Sequence, residues 1–292
     1  MASTRPRLAL VTCDLFPTLY ADEQELPAHF AAAGVDAEPR SWSDPAADWK
    51  SYDRVVLRST WDYFERIDEF TGWLDRLDRE HVDLCNPSSL VRWNFDKRYL
   101  RELATRGAQL LPTRFIDAGE RVDLDALVRE RGWSDAILKP AVSGGAYRTH
   151  RFAAAGARTL QGELDAILCA SGALVQPFAP EIADEGEWSL LFFAGVFSHA
   201  VLKTPTAGDF RVQTQFGGLY RAMTAPPSML AAATAIVATL PTPALYARID
   251  GIRRGDDFLL MEVEAIEPYL FLPHSPDVPK AIDRYIAAVT PR

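Results

Sequence analysis

Short apolar runs alternate with amphipathic segments of helical length through the first third of the chain. The runs RLALVTC, VDAEPRSW and YDRVVLRST have the length of strands, and QELPAHFAAAG and IDEFTGWLDRLDRE place apolar residues at helical spacing. Gly34 follows the first of these helices, where a glycine commonly ends one. The alternation predicts a small α/β domain with a parallel sheet over residues 1–93.

After residue 93 the pattern changes to helices between strands that pair as hairpins. A helix is predicted over NFDKRYLRELATRG, with Asn94 as its cap. Further strands are predicted at LLPTRFID, AILKPAV and ALVQPFAPEI, and helices at LDALVRERG, LQGELDAILCASG, SMLAAATAIVATL and VPKAIDRYIAAV. Two hairpins are predicted, one turning at Ala194 and Gly195 and the other between Arg253 and Asp257.

The composition narrows the class of protein. A net charge of −9 disfavours a nucleic-acid groove, which would usually show a basic surplus. No apolar run is long enough to span a membrane, and the run after Arg7 is too short for a secretion signal. Cys13, Cys85 and Cys169 are far apart and odd in number, which predicts reduced thiols in a cytoplasmic protein.

Acidic residues interrupt the otherwise apolar strand of the last hairpin, FLLMEVEAIEPYLFL. Glu262 and Glu264 share one face of this strand, and Arg248 and Asp250 share one face of the preceding strand. A turn centred on the intervening glycine would set Asp250 opposite Leu260, one diagonal step from Glu262. Carboxylates so close repel one another unless a cation lies between them, and such oxygen ligands suit Mg²⁺.

The alternative is that these acids lie on a solvated face of the strand. The flanking FLLM and AI are apolar at every position, and two strands supply the acids, which favours the metal site. Glu267 precedes Pro268 and is compatible with a metal ligand, a substrate contact or a loop anchor.

Three lysines precede the acidic hairpin. Lys139 ends a predicted strand and is followed by a glycine turn at residues 143–145, whose backbone N–H groups can hold a phosphate. The turn is not a P-loop, because the spacing GxxxxGK[ST] does not occur. Lys97, Lys139 and Lys203 are each compatible with an ordinary surface or strand-end lysine. Together with the acidic hairpin they favour a site for phosphate and metal.

Polar residues also follow the third predicted strand, in RSTWDY. Open α/β sheets bind ligands at the carboxyl ends of their strands. Arg58 can pair with a substrate carboxylate and Asp62 can hold an ammonium group, with Ser59 and Thr60 beside them. The alternative is a surface Arg58 and a helix cap at Asp62.

The order of the motifs resembles the ATP-grasp ligases. From Asn94 to Leu272 the chain reads NFDKRYL, AILKPAVSGGA, LVQPF, EGEWSLLFF, AVLKTP, FRVQTQFGG, ARIDG and LMEVEAIEP. The resemblance implies an ATP-grasp fold, in which residues 1–93 form an α/β substrate domain and residues 94–172 and 173–292 form two α+β subdomains that sandwich ATP. It also implies Mg²⁺ as two ions, with Mn²⁺ as the alternative metal, and a homodimer.

The resemblance assigns roles to individual residues. The implied ATP contacts are Lys97, Lys139, Ser143, Gly144, Gly145, Gln176, Pro177, Phe178, Glu187 with Glu181 as the alternative, and Lys203. The implied Mg²⁺ ligands are Asp250, Glu262 and Glu264, and the implied catalytic cations are Arg248, Arg211 and Lys203. The loop with Arg211, Gln213, Gly217 and Gly218 faces the acceptor substrate in this family.

Two positions depart from the family pattern. Glu264 stands where asparagine is common, which adds negative charge at the metal site. Pro177 stands where an acid is common, and it lacks the N–H that would contact adenine.

The family chemistry implies that a small-molecule carboxylate attacks the γ-phosphate of ATP and that an amine then attacks the acyl phosphate, giving an amide, ADP and phosphate. RSTWDY and EVEAIEPYLFL are similar to a subgroup that includes the cyclo-ligase forming cycloserine from O-ureidoserine, in which the substrate's own nitrogen closes the ring. The other hypotheses are an ATP-grasp kinase, a nucleotide-binding scaffold and a ligase that extends a protein tail. Arg248 and the loop at 211–218 favour a ligase over a kinase.

Overall fold

The computed structural model describes residues 5–291; residues 1–4, which belong to the segment considered as a secretion signal, and Arg292 lie outside it. The N-terminal elements are β1 (Arg7–Thr12), α1 (Leu26–Ala32), β2 (Asp36–Ser41), β3 (Arg54–Ser59), α2 (Ile67–Arg79) and β4 (Leu84–Cys85). The strands form a parallel sheet in the order β2-β1-β3-β4. The alternation of apolar runs predicted this unit correctly.

The single helix predicted over NFDKRYLRELATRG is wrong. Two helices occupy this region, α3 (Ser88–Asn94) and α4 (Tyr99–Thr105). Asn94 ends α3 and caps no helix, because its side-chain amide bonds the backbone of Val263 and Ala265 at 2.8 and 2.7 Å. Lys97 therefore lies in the turn between two helices, where its backbone N–H donates to the carbonyl of Ala141 at 2.8 Å.

The central elements form an antiparallel sheet in the order β5-β8-β6-β7 with two helices on one face. They are β5 (Arg114–Ile116), α5 (Leu124–Glu130), β6 (Asp135–Pro140), β7 (His150–Ala153), α6 (Gln161–Leu168) and β8 (Ala173–Pro177). Ile116, Leu138, Leu164 and Val175 lie in the core between this sheet and its helices.

The last elements form an antiparallel sheet in the order β11-β10-β9-β12-β13. They are α7 (Glu181–Asp184), β9 (Glu187–Phe193), β10 (Val196–Thr204), β11 (Leu219–Met223), α8 (Pro227–Ala238), β12 (Tyr246–Arg254), β13 (Asp257–Glu264) and α9 (Val278–Val289). Both predicted hairpins are present, and their turns at Ala194, Gly195 and Gly255 have positive φ. In residues 5–291, every helix falls short of the length and apolar character that a membrane span requires.

A β-bulge changes the predicted register of the last hairpin. Gly251 pairs with Leu260, but Asp250 pairs with Glu262, so Met261 has no partner on β12. The predicted pairing of Asp250 with Leu260 is therefore wrong by two residues. A Cβ on Gly251 would lie 2.5 Å from the carbonyl oxygen of Leu259, so this bend needs glycine. The bulge brings Asp250 and Glu262 directly opposite each other.

Helix α9 joins the two ends of the chain in one core. Tyr285 packs against Phe30 of α1 and Phe193 of β9, with ring centroids 6.1 and 5.5 Å apart. Leu8 and Leu10 of β1 belong to the same buried cluster. The N-terminal sheet is therefore packed on the C-terminal helix, and its core extends beyond residues 1–93.

Candidate active site

A cleft of about 1220 Å³ is lined by residues from all three parts of the chain. Most of the predicted site residues line it: Lys97, Lys139, Ser143, Gly144, Gly145, Gln176, Pro177, Glu187, Lys203, Arg211, Gln213, Gly218, Arg248, Asp250, Glu262, Glu264 and Glu267. The remaining predicted residues do not line it: Arg58, Ser59, Thr60, Asp62, Phe178, Glu181 and Gly217. The motifs that are separate along the chain thus bring most of the predicted phosphate and metal residues to one cleft.

Alternating charges cross four neighbouring strands on the floor of this cleft. Lys203 on β10 lies 2.5 Å from Glu187 on β9 and 3.3 Å from Asp250 on β12. Arg248 lies 2.8 Å from Asp250 and also pairs with Glu264 on β13. Because both ends of this series are carboxyl groups, the series has three acids and two cations.

Asp250 is the most enclosed of the predicted metal ligands. It is 2% exposed and accepts a hydrogen bond of 2.6 Å from the Ser189 hydroxyl. Burial alone would raise the pKa of Asp250, but Arg248 and Lys203 lower it to about 2. In the described chain, residues 5–291, no group of three His, Cys, Asp or Glu residues is placed to hold a metal ion by itself. The predicted three-carboxylate cage is thus not assembled, because the cations engage Asp250.

Glu262, Glu264 and Glu267 are open to the cleft. The side chains of Glu262 and Glu264 are 29% and 28% exposed. Burial raises the pKa of Glu264 to about 8 despite Arg248, and Asp250 and Glu262 add to the shift. Burial, reinforced by Glu262, also raises the pKa of Glu267 to about 7. A hard divalent cation would relieve this repulsion, so the oxygen donors fit Mg²⁺.

Two lysines line the same cleft as these glutamates. The Lys97 ammonium lies 3.2 Å from Glu262 and also donates to the backbone carbonyl of Ser143. Lys139 is half-buried, and within residues 5–291 no carboxylate lies within 4.0 Å of its ammonium. Burial lowers the pKa of Lys139 and Lys97 lowers it further, while Glu262 opposes the shift. Lys139 therefore lacks the anion that a buried ammonium needs.

The glycine turn after β6 closes against the N-terminal domain. A Cβ on Gly144 would lie 2.8 Å from the Phe64 ring, so this contact requires glycine. Gly145 has φ of +56°, and its carbonyl accepts a hydrogen bond of 3.4 Å from Gln215. The turn thus contacts both the loop after β3 and the loop before β11.

The segment after β8 offers few backbone donors to a base. Pro177 has no N–H, and the N–H of Phe178 donates to the carbonyl of Asp135 at 2.9 Å. Glu181 lies outside the cleft and pairs with Arg254 at 2.5 Å. The Phe178 N–H is therefore engaged within the protein, and of Glu181 and Glu187 only Glu187 lines the cleft.

Arg58 and Ser59, expected to contact substrate, are internal. Arg58 is 0% exposed, pairs with Glu23, and donates to the carbonyl of Pro268 at 2.8 Å. The Ser59 hydroxyl donates to Glu23 at 3.2 Å. Because Glu23 supplies the carboxylate that Arg58 needs, a substrate carboxylate cannot reach this guanidinium, and the expectation is corrected.

Thr60 and Asp62 also lie outside the cleft. Thr60 is 0% exposed, and Asp62 accepts a hydrogen bond of 2.7 Å from the indole N–H of Trp42. The intervening Trp61 points the other way and lines the cleft. The prediction chose the polar residues of RSTWDY, whereas its two aromatic residues, Trp61 and Tyr63, line the cleft.

Aromatic side chains that the sequence analysis missed surround the end of the cleft near the N-terminal sheet. They are Phe16, Tyr20, Trp61, Tyr220, Tyr269 and Phe271. The rings of Tyr20 and Trp61 lie 4.8 Å apart, and the Trp61 indole N–H donates to the carbonyl of Glu267 at 3.1 Å. Tyr269 and Phe271 belong to the largely apolar stretch FLLMEVEAIEPYLFL, where only the acids were considered as site residues. No sequence pattern marks Phe16 or Tyr220.

The loop before β11 completes the cleft. Arg211 pairs with Asp209 at 2.7 Å and lines the cleft from one side. A Cβ on Gly218 would lie 2.0 Å from the carbonyl oxygen of Val212, so the close packing of this loop requires glycine. The side-chain oxygen of Gln213 is buried without a hydrogen-bond partner among the described residues. Buried polar atoms usually have a hydrogen-bond partner, so this oxygen is an exception.

Comparisons with known proteins identify relatives of this chain. The family model of the D-cycloserine synthetase DcsG N-terminal domain matches residues 8–86. The chain is 32% identical over 291 residues to the cycloserine biosynthesis protein DcsG of Streptomyces lavendulae, covering 92% of this chain and 94% of that protein. The crystal structure of D-cycloserine synthetase DcsG is similar with a TM-score of 0.85 and 30% identity, covering 97% of this chain and 98% of that one.

A more distant likeness concerns the fold alone. The D-alanine–D-alanine ligase of Bacillus anthracis is 14% identical, with a TM-score of 0.70 and coverage of 97% of both chains. The similarity to DcsG extends over nearly the whole chain at an identity that shows a common family. The chain belongs to the DcsG family of ATP-grasp ligases, and thus to the ATP-dependent carboxylate–amine ligases.

Proposed function

We propose that this protein uses ATP and Mg²⁺ to activate a small-molecule carboxylate as an acyl phosphate, and that an amine nitrogen then forms the amide with release of phosphate. The observation that carries this proposal is Lys139, a half-buried ammonium on the cleft wall with no carboxylate partner among residues 5–291. A buried charge without a partner is costly, so an anionic ligand would stabilise it. The phosphates of ATP supply that charge.

The cleft has lysines that can bind the phosphates of a metal–nucleotide complex and glutamates that can bind its metal ion. Lys97 and Lys139 would hold the phosphates beneath the glycine turn at 143–145. Glu262 and Glu264 are the proposed metal ligands, because they are open to the cleft and their mutual repulsion favours a cation. Mg²⁺, when bound, neutralises phosphate charge during transfer.

Asp250 is proposed to orient cations, because it already bonds Arg248 and Lys203. These contacts would hold both cations toward the reacting carboxylate and phosphate. Arg248 is fixed from a second side by Glu264 and by the carbonyl of Tyr269 at 3.1 Å. A guanidinium with its orientation set in advance stabilises developing negative charge without rearranging.

Ring closure within one substrate is the second candidate. It is favoured by the DcsG relatives, which match the N-terminal domain and the ATP-binding parts together. In this reaction the attacking nitrogen and the activated carboxylate belong to the same molecule, so no separate amine has to bind. A kinase would leave the phosphate on its acceptor and release none.

A measurement of ADP and free phosphate tests the proposal. For ring closure, O-ureidoserine supplied alone with ATP and Mg²⁺ should give equal amounts of ADP and phosphate, together with cycloserine, detected by mass spectrometry after hydrolysis releases the carbamoyl group as ammonia and carbon dioxide. ADP and phosphate that form only when a carboxylate and an amine are supplied together would support the intermolecular ligase. ADP without free phosphate would contradict both ligase reactions and support a kinase.

A further inference from the structure

Strand β13 lies at the edge of its sheet, with β12 on one side only. Val263 lies opposite Ile249 of β12, but its backbone N–H and carbonyl point away from β12, and so do those of Ala265, which directly follows β13. Val263 and Ala265 are 1% and 0% exposed, so water cannot satisfy these groups. Buried backbone groups require hydrogen-bond partners, and no neighbouring strand provides them here.

Side chains take the place of the missing strand. The Tyr99 hydroxyl accepts from the N–H of Val263 at 2.7 Å and donates to its carbonyl at 2.8 Å. Asn94 donates to the same carbonyl at 2.8 Å and accepts from the N–H of Ala265 at 2.7 Å. Asn86 donates to the carbonyl of Ala265 at 2.8 Å. The strand that carries both glutamates is therefore held from outside the sheet at the residues that alternate with them.

The segment 94–99, which carries Asn94 and Tyr99, also places a lysine beside Glu262. Lys97 lies between Asn94 and Tyr99, and its ammonium is 3.2 Å from Glu262. Its backbone N–H donates to the carbonyl of Ala141, which lies between β6 and the glycine turn at 143–145. A displacement of the segment relative to β13 would therefore change the spacing between Lys97 and Glu262.

We propose that Asn94 and Tyr99 are positioning residues that set the separation of the metal-binding carboxylates and the phosphate-binding lysine. This inference rests on the proposed function, because it assigns Glu262 and Glu264 to the metal. Tyr99 is 5% exposed and lies outside the cleft, so it acts only through Val263. Asn94 reaches the cleft, but both atoms of its amide are engaged by β13.

The test measures binding of Mn²⁺ in the presence of ADP, from the electron paramagnetic resonance signal of free Mn²⁺. Tyr99→Phe removes only the hydroxyl, and we expect Mn²⁺ to bind about tenfold more weakly. ADP binding in EDTA should be unchanged. Tyr52→Phe is the matched control, because the Tyr52 hydroxyl is also engaged, with Glu38 at 2.6 Å and Arg40 at 2.9 Å, but lies in the N-terminal domain outside the cleft.

The outcomes separate the two proposals. If wild-type protein binds no Mn²⁺ with ADP, the proposed function fails and this inference fails with it. If wild type binds Mn²⁺ and Tyr99→Phe binds it equally well, only the inference is overturned. Equal weakening in Tyr99→Phe and Tyr52→Phe would also overturn it, because loss of stability would then explain both. Should Tyr99→Phe not fold, Asn94→Leu replaces it with the same expected direction.

Discussion

Asp250 and Glu262 lie opposite each other on neighbouring strands, yet their electrostatic surroundings differ. Asp250 is 2% exposed and is bound by Arg248 and Lys203. Glu262 has a side chain 29% exposed and pairs only with Lys97 among the described residues. One carboxylate therefore holds protein cations in place, while the other is available to a ligand.

Replacing Asp250 should mainly lower stability, and replacing Glu262 should mainly weaken metal binding. Asp250→Asn leaves two buried cations poorly compensated, so we expect the free energy of unfolding to fall by about 3–5 kcal/mol. Glu262→Gln should cost only about 1–2 kcal/mol but should weaken Mg²⁺ binding in the presence of ADP. Urea denaturation and Mg²⁺ titration measure the two effects. The reverse pattern would assign the metal to Asp250.

Lys139→Met should abolish nucleotide binding without destabilising the free protein. Methionine has a similar length and removes a half-buried charge that lacks a partner among residues 5–291. A ligand at 100 times its dissociation constant stabilises by about 2.7 kcal/mol, so wild type should show a clear thermal shift with Mg²⁺ and ADP. The variant should show none. Lys280→Met changes an exposed lysine of α9 and should keep the full shift.

The buried pair of Arg58 and Glu23 should matter for folding alone. Arg58→Met leaves Glu23 buried without its partner, and we expect a loss of about 3–5 kcal/mol in unfolding free energy. The double variant with Glu23→Gln should lose less than the sum of the two single variants. The thermal shift with Mg²⁺ and ADP should remain in each variant that folds. Loss of this shift at full stability would restore Arg58 to the binding site.

Gly218→Ala should disrupt the loop before β11, which is predicted to face the acceptor substrate. The added Cβ would lie 2.0 Å from the carbonyl oxygen of Val212, so the backbone must move. We expect at least a tenfold loss of kcat/KM, measured by phosphate release, with nucleotide binding retained. Gly208→Ala is the control within the same loop, since φ there is +88° but no atom lies within 4 Å of the new Cβ. Equal losses in both variants would contradict a specific role for Gly218.

Stability should fall between pH 6.5 and 4 because of His199. Burial lowers the pKa of His199 to about 4, while its hydrogen bond to the carbonyl of Leu270 opposes the shift. The unfolded chain therefore takes up a proton near pH 6.5 that the folded chain accepts only near pH 4. This difference lowers the free energy of unfolding by up to about 3 kcal/mol across that range.

Urea denaturation at several pH values measures the effect of His199. His199→Gln should show a flatter decline between pH 6.5 and 4 than wild type. His29→Gln is the control, because His29 is exposed on α1. The explanation fails if the two variants decline equally.

Much of the secondary structure followed from the sequence because its signals are local. Strand and helix periods predicted the parallel sheet and both hairpins, and most of the residues predicted to bind phosphate and metal line one cleft. The β-bulge at Gly251 did not follow, since the close approach of Leu259 becomes visible only in the folded hairpin. The break between α3 and α4 was missed for a related reason. The side-chain amide of Asn94 bonds the backbone of Val263 and Ala265, some 170 residues further along the chain.

The substrate end was the least predictable part. Arg58 has the chemistry of a carboxylate-binding residue, but its partner is Glu23, which no spacing rule connects to it. Trp61 and Tyr269 have large aromatic side chains of the kind often found in a core, but they line the cleft. A sequence pattern gives the chemistry of a side chain but not which side of a loop it takes when several segments converge.

The packing of α9 on the first sheet affects how the chain can fold during synthesis. Leu8, Phe30 and Tyr285 share one buried cluster, so the earliest strands lack part of their apolar cover until the last helix has left the ribosome. Contacts between such distant segments close late and slow folding. A chain stopped before residue 278 should therefore expose this surface and aggregate, even though it contains every residue that lines the cleft.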